Sequence, residues 1–115
     1  MSIFALAVPN PRGYRDLTLE QLPLPPAGFR LVDVREPSEF SGELGHIPGA
    51  ELVPMGGVMA QAISWNKDEP LVLVCRSGGR SGNVAQALTQ AGFRQVMNLV
   101  GGMLSWNAAG RAVEK

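Results

Sequence analysis

The chain has 115 residues, of which 45% are hydrophobic and 17% are charged, with ten basic and ten acidic side chains. This length suits one domain with its own core and is too short for two. A net charge of zero argues against nucleic acid as the main partner, because phosphate binding normally requires excess positive charge. The single cysteine excludes an intrachain disulfide, so we expect a fold held by its core alone, in the reducing cytoplasm.

The N-terminal residues carry few structural signals. The apolar stretch from Ile3 to Val8 is short, has no Lys or Arg before it and ends in proline. It is therefore a poor signal peptide and too short to span a bilayer, and we expect no membrane partner. We interpret residues 1–15 as an extension or edge segment and residues 16–115 as a single domain.

Hydrophobic periodicity and turn residues predict alternating strands and helices along the rest of the chain. A capping box at Thr18 predicts a short helix from near Leu19, and the apolar pattern of residues 57–65 predicts a helix with a core face at Val58, Met59, Ala62, Ile63 and Trp65. The other predicted helices are 37–40, 81–91 and 103–109, and the predicted strands are 29–34, 50–53, 71–74 and 96–100. Strict alternation predicts a small α/β domain with a mostly parallel sheet flanked by helices on both faces.

The most apolar predicted strand, residues 71–74, runs directly into the lone Cys75. In parallel sheets, ligands bind at the carboxyl ends of strands, and a loop entering a helix there has backbone N–H groups without helical partners. Helix N-termini and cationic neighbours lower a thiol pKa from roughly 8.5 to about 3.5–7.5, so Cys75 is predicted to be a thiolate nucleophile. The alternative is an ordinary buried core cysteine after Val74. The predicted anion-binding loop comprises Arg76, Ser77, Gly78, Gly79, Arg80 and Ser81.

Three ordered blocks resemble the rhodanese domain and together cover roughly residues 16 to 110. The first block matches the N-terminal signature, the second the active-site loop and the third the closing segment. In order, they are Asp33-Val34-Arg35-Glu36-Pro37 with Glu39-Phe40 and Gly45-His46-Ile47-Pro48-Gly49-Ala50; Cys75-Arg76-Ser77-Gly78-Gly79-Arg80-Ser81; and Asn98-Leu99 with Gly101-Gly102-Met103 and Trp106.

The resemblance implies a thiosulfate sulfurtransferase. Such an enzyme moves a sulfane sulfur from a small anionic donor to cyanide or a thiol through a persulfide, here on Cys75, with no cofactor. One alternative is a persulfide carrier that serves a protein partner, and another is a rhodanese-like binding module without turnover. The related phosphatases and arsenate reductases place five residues between Cys and Arg to wrap a tetrahedral oxyanion, whereas four separate Cys75 from Arg80. This shorter loop suits one sulfur better than a phosphate, so such an enzyme is a less favoured alternative.

The resemblance also suggests roles for the charged loop residues. Arg80 is expected to stabilise the persulfide and the donor, or to bond loop carbonyls or an upstream carboxylate. Arg76 is expected either to attract anionic donors or to be a solvated charge. Ser77 and Ser81 are interpreted as loop and helix-cap groups rather than nucleophiles.

Four further residues complete the sequence hypothesis. Asp33 and Arg35 are expected to support the loop structurally, and His46 to belong to a structural motif rather than to act as a catalytic base. One Cys and one His, far apart in sequence, predict no metal site. Gly82 stands where the family usually has a small helix former such as Ala, at a cost of about 1 kcal/mol of helix propensity if it is interior.

Overall fold

A computed structural model describes residues 2–115 as one sheet of six strands with helices packed on it. The strands lie in the order β1-β2-β6-β5-β3-β4, and all neighbouring pairs are parallel except β1 with β2. The predicted mostly parallel α/β fold is confirmed. The strands are β1 Val8–Pro9, β2 Arg15–Leu17, β3 Arg30–Asp33, β4 Glu51–Leu52, β5 Leu71–Val74 and β6 Val96–Leu99.

Within residues 2–115 the structure also has five α-helices and two short 3-10 turns. The α-helices are α1 Ile3–Leu6, α2 Pro37–Phe40, α3 Val58–Ala62, α4 Gly79–Gln90 and α5 Gly102–Ala108, and the 3-10 turns are Leu19–Gln21 and Met55–Gly57. The capping box predicted at Thr18 is present, with Gln21 as its second member. Among residues 2–115, no helix is both long and apolar enough to cross a bilayer.

Strand β5 lies at the centre of the sheet and is buried over all four residues. Its neighbours are β3 on one side and β6 on the other. Successive side chains of a strand point to opposite faces, and β5 accordingly contributes Leu71 and Leu73 to one hydrophobic cluster and Val72 and Val74 to another. The first cluster includes side chains of α3 and α4, and the second includes side chains of α5, so helices cover both faces as predicted.

The predicted core face of residues 57–65 is wrong in part. Helix α3 spans only Val58–Ala62, and these two terminal residues, four apart, are the buried ones. Met59 is 45% exposed and Ile63 is 87% exposed. A helix of five residues presents little more than one turn to the sheet, so apolar residues next to the Val58–Ala62 line remain in solvent.

The N-terminal segment extends the sheet. Strand β1 is the antiparallel edge, and β2 pairs in parallel with β6. The Arg12 guanidinium donates to Asn83 Oδ1 at 2.7 Å and to Gln86 Oε1 at 2.7 Å, both on α4. These bonds tie the segment to the helix that follows Cys75. The proposed division of the chain at residue 16 lies within β2 and stays a prediction.

Candidate active site

The Cys75 loop lies where β5 ends and α4 begins, at the carboxyl edge of the sheet. Gly78, the residue before the helix, has a φ of +109°. A side chain is strained at this φ, so glycine allows the chain to turn here and direct its N–H at the sulfur. Helix α4 begins at Gly79, two residues earlier than predicted. Arg80 and Ser81 therefore lie in its first turn.

Two donors converge on the Cys75 sulfur. The Gly78 N–H lies 3.1 Å from Sγ, and the Ser81 hydroxyl oxygen lies 3.2 Å from it. Burial raises the pKa of the Cys75 thiol, but hydrogen bonds from the Ser81 hydroxyl and from the N–H groups of Ser81, Gly78 and Ser77 outweigh it and lower the pKa below its ordinary value. The site thus favours the anionic form of sulfur.

Burial alone does not decide between a nucleophile and a core cysteine. Cys75 is 1% exposed and lies in the same hydrophobic cluster as Leu73 and Val84. A thiol that serves only as core needs no hydrogen-bond donors, whereas here a backbone amide and a hydroxyl are directed at the sulfur. This cradle favours the nucleophile interpretation.

Two backbone hydrogen bonds join the start of helix α5 to the Cys75 loop. The Met103 N–H donates to the Cys75 carbonyl and the Leu104 N–H to the Arg76 carbonyl, each at 2.9 Å. A Cβ at Gly102 would overlap the Cys75 carbonyl oxygen. Glycine is therefore required for this close approach, which the Gly101-Gly102-Met103 block of the sequence did not by itself reveal.

Arg80 is bound by a carboxylate rather than by loop carbonyls. Its two terminal nitrogens lie 2.7 and 2.8 Å from the two oxygens of Glu39 on α2. The Arg80 guanidinium lowers the pKa of Glu39 to about 2, and the pKa of Arg80 is raised by the same bonds. Glu39 therefore offsets much of the positive charge that Arg80 would present to an anionic donor.

Asp33 and Arg35 form a buried pair at the end of β3. The Arg35 guanidinium lies 2.8 Å from Asp33 Oδ2, and both side chains are at most 1% exposed. Arg35 also donates to the Gly45 carbonyl at 2.6 Å. The pair thus attaches the chain around Gly45 to the sheet and makes no direct bond to the Cys75 loop.

His46 lies in a structural setting away from the sulfur. Its ring stacks on Phe40 with 3.6 Å between ring centroids, and Nδ1 lies 2.8 Å from the Phe40 carbonyl. Nε2 faces Glu114 at 3.7 Å. None of these contacts involves Cys75, which favours the structural interpretation.

Arg76, Ser77 and Gly79 are the exposed residues of the loop. Arg76 lines a surface cavity of about 340 Å³ together with residues of α2 and of the turn that follows it. Two carboxylates, Glu39 and Glu43, also line this cavity. Of the loop residues, Arg76 is the one that borders this cavity.

Sequence reasoning allowed an upstream carboxylate as the partner of Arg80 without naming it, and it gave no side-chain partner for Ser81. Glu39 is the partner of Arg80, and Asn98 is the partner of Ser81, with 2.6 Å between Asn98 Oδ1 and Ser81 Oγ. Both residues belong to the blocks that carry the family resemblance, but the blocks do not say which side chains meet. The parallel register of β5 and β6, which pairs Leu73 with Asn98, is what brings Asn98 to the loop.

A family model described as "Rhodanese-like domain" matches residues 18–109. The chain therefore belongs to the rhodanese-like domain family, and the resemblance inferred from the sequence is confirmed. In a solved structure of a rhodanese-like domain protein from Staphylococcus aureus, the matched region covers 87% of this chain and 98% of that one, with a TM-score of 0.72 and 32% identity.

Relatives of the chain carry different functional names. The thiosulfate sulfurtransferase GlpE of Pseudoalteromonas translucida is 32% identical over 79 residues, which cover 69% of this chain and 73% of that protein. The putative sulfur carrier protein YrkF of Bacillus subtilis is 38% identical over 78 residues, which cover 68% of this chain and 41% of that protein. The match covers 64%, 50% and 41% of the length of three relatives, so this chain corresponds to only part of them.

Proposed function

We propose that the protein transfers a sulfane sulfur from thiosulfate, or a similar small anion, to cyanide or a thiol through a persulfide on Cys75. The observation that carries the proposal is the cradle around the sulfur, in which the Gly78 N–H and the Ser81 hydroxyl lie 3.1 and 3.2 Å from Sγ. Both donors favour the thiolate, which is the nucleophilic form.

In the first half-reaction the Cys75 thiolate attacks the outer sulfur of thiosulfate. The new S–S bond takes the place of the bond to the sulfonate sulfur, and sulfite leaves with the electron pair. The product is an anionic persulfide, whose terminal sulfur the loop amides would stabilise. In the second half-reaction the acceptor attacks that terminal sulfur, and the Cys75 thiolate leaves and is regenerated.

This cycle needs no cofactor, because Cys75 itself carries the sulfur covalently. Cys75 is the only cysteine in the chain. The persulfide must therefore pass to another molecule rather than to a resolving thiol of the same chain. A lone reactive thiol also suits a reducing compartment, so the proposal places the reaction in the cytoplasm.

A persulfide carrier that serves a protein acceptor is the second candidate function. It is favoured by the similarity to YrkF, which is named a putative sulfur carrier protein. A carrier would use the same first half-reaction. The two candidates differ in the acceptor alone. A phosphatase is disfavoured because Arg80, which would have to hold the phosphate, is bound through two nitrogens to Glu39.

The test is the intact mass of the protein after incubation with thiosulfate and again after cyanide. We expect a gain of one sulfur atom, its removal by cyanide and the formation of thiocyanate, with no gain in Cys75→Ser. A Ser77→Ala variant is the matched control, because it keeps the thiol and changes an exposed loop hydroxyl. Absence of the adduct with thiosulfate and with other sulfane donors would refute the proposal.

Turnover separates the two candidates once the persulfide is established. Rapid, saturable discharge to cyanide or a small thiol supports the sulfurtransferase, with ping-pong kinetics as the expected pattern. A stable persulfide that small acceptors discharge only slowly favours the carrier.

A further inference from the structure

Asn98 is a buried polar side chain that the proposed reaction does not use. It lies on β6, is 7% exposed and is surrounded in the strand by buried apolar residues. A polar side chain in such a place is costly unless it is hydrogen-bonded. Both ends of its amide have partners, and both partners belong to the Cys75 loop or to the first turn of α4.

The two partners determine which way the amide points. Asn98 Nδ2 donates to the Gly78 carbonyl at 3.2 Å, and Oδ1 lies 2.6 Å from Ser81 Oγ. A carbonyl oxygen can only accept, so the NH₂ group must face Gly78 and the amide oxygen must face Ser81. The amide oxygen cannot donate either, and the Ser81 hydroxyl proton therefore points to Asn98.

The Ser81 hydroxyl has one proton and two acceptors within reach. Besides Asn98 Oδ1 at 2.6 Å, the Cys75 sulfur lies 3.2 Å from Ser81 Oγ. A protonated thiol can donate its own S–H to the Ser81 oxygen, which leaves the bond to Asn98 intact. A thiolate has no proton to donate. To stabilise it, Ser81 must turn its hydroxyl away from Asn98.

We propose that Asn98 is a positioning residue that competes with the Cys75 sulfur for the hydroxyl proton of Ser81 and so limits how much Ser81 stabilises the sulfur anion. The inference rests on the proposed function in taking Cys75 as the reacting residue. The Asn98 amide holds the Ser81 proton while the thiol is neutral. When the anion forms, the Ser81 hydroxyl keeps its proton but turns to donate its hydrogen bond to the sulfur, at the cost of the bond to Asn98.

The competition predicts the sign of the change when Asn98 loses its amide. In Asn98→Leu, a replacement of similar size, the Ser81 hydroxyl is left with the sulfur as its acceptor, so the thiolate becomes more favourable. The Gly78 carbonyl stays paired, because it also accepts from the Gly82 N–H at 3.0 Å. A purely structural role predicts the opposite sign, since a loosened loop would withdraw the Gly78 N–H from the sulfur.

The charged and titratable groups around Cys75 are the same in every variant of the test. They come from the N-terminal segment, from β3, from α2, and from the loop and α4, and a change in thiol titration therefore reports the hydrogen bonds of Ser81 and Asn98. These groups are Arg12, Tyr14, Asp33, Arg35, Glu39, Arg76 and Arg80.

The experiment is the pH profile of Cys75 alkylation by iodoacetamide in wild type, Asn98→Leu, Ser81→Ala and the double variant. A hydrogen bond to an anion is expected to move the midpoint by about one pH unit or more, and a partial gain by about half a unit. We expect the midpoint to fall by about half a unit in Asn98→Leu and to rise by about one unit in Ser81→Ala. The double variant should match Ser81→Ala.

A higher midpoint in Asn98→Leu, an unchanged one, or an equal fall with and without Ser81, would overturn the proposal. If Asn98→Leu does not fold, as judged by near-ultraviolet circular dichroism, Asn98→Ala is measured with the same expected sign. Alkylation requires a thiol but no sulfur transfer. A failed midpoint prediction with a normal persulfide adduct therefore refutes the role of Asn98 alone, and a missing adduct refutes the proposed function instead.

Discussion

Replacing Gly82 by alanine has two opposite effects on the free energy of unfolding, one from helix propensity and one from packing around α4. Alanine is more favourable than glycine inside a helix by about 1 kcal/mol, and by less near the helix start. Propensity alone therefore predicts that Gly82→Ala raises the free energy of unfolding. The neighbours of Gly82 predict the reverse.

A Cβ at Gly82 would lie 3.0 Å from the Tyr14 hydroxyl, 3.3 Å from Arg12 Nη1 and 3.4 Å from Asn98 Nδ2. Tyr14 is only 4% exposed and belongs to the core cluster, so it cannot withdraw without disturbing its own packing. Adding a methyl group to a filled site costs about 1–3 kcal/mol. We expect the packing cost to exceed the propensity gain and the free energy of unfolding to fall by about 1 kcal/mol.

Urea unfolding measures this difference, and Gly79→Ala is the matched control. Gly79 lies in the same helix, and a Cβ there would meet no atom within 4 Å. Gly79→Ala should therefore leave the free energy of unfolding unchanged or raise it slightly. In a Tyr14→Phe background the nearest contact is removed, so Gly82→Ala should cost less there. A Gly82→Ala protein that is more stable than wild type would refute the packing argument.

Three further predictions concern the polar pairs around the loop. Glu39→Gln frees the charge of Arg80 and should lower the KM for thiosulfate about two- to fivefold. The pKa of Glu39 is lowered from 4.5 to about 2, so the ion pair of Glu39 with Arg80 contributes its full stability above about pH 4.5. The difference in unfolding free energy between wild type and Glu39→Gln should therefore disappear as the pH falls through about 2. Asp33→Asn leaves Arg35 charged and buried without its partner and should lower the free energy of unfolding by about 3–5 kcal/mol in urea, whereas a loss below about 1 kcal/mol would contradict the buried pair. His46→Gln should change kcat less than about twofold, and a loss of two orders of magnitude would instead assign it as a catalytic base.

The central strands and the Cys75 loop were predictable because their signals are local. Four aliphatic residues followed by a glycine-bearing loop occupy consecutive positions, and the sequence places β5 and Cys75 without reference to other elements. The pairs that complete the site are not local. Glu39 and Arg80 are 41 residues apart, and Ser81 and Asn98 are 17 apart. Their contacts follow from how α2 packs and from the register of β5 with β6, which apolar periodicity does not specify.

Periodicity also overestimated helix α3 for a physical reason. Apolar residues at 58, 59, 62 and 63 fit one helical face, but a helix only five residues long buries the line from Val58 to Ala62 and no more. How many side chains of a helix are buried depends on the surface against which the helix packs, and a single turn contacts little of that surface. The spacing of Met59 and Ile63 could not reveal that Met59 is exposed within this short helix and that Ile63 lies after its end.

The N-terminal segment packs against α4 at the position of Gly82. The family model begins at residue 18, so the segment that carries Arg12 and Tyr14 lies outside it. Both side chains reach across to α4, where Gly82 leaves the space that they occupy. The glycine at position 82, which costs helix propensity when considered alone, is what allows the N-terminal segment to pack one residue away from Ser81. If the Gly82→Ala experiment gives the expected loss, this packing is coupled to the helix turn that supplies the hydroxyl donor to Cys75.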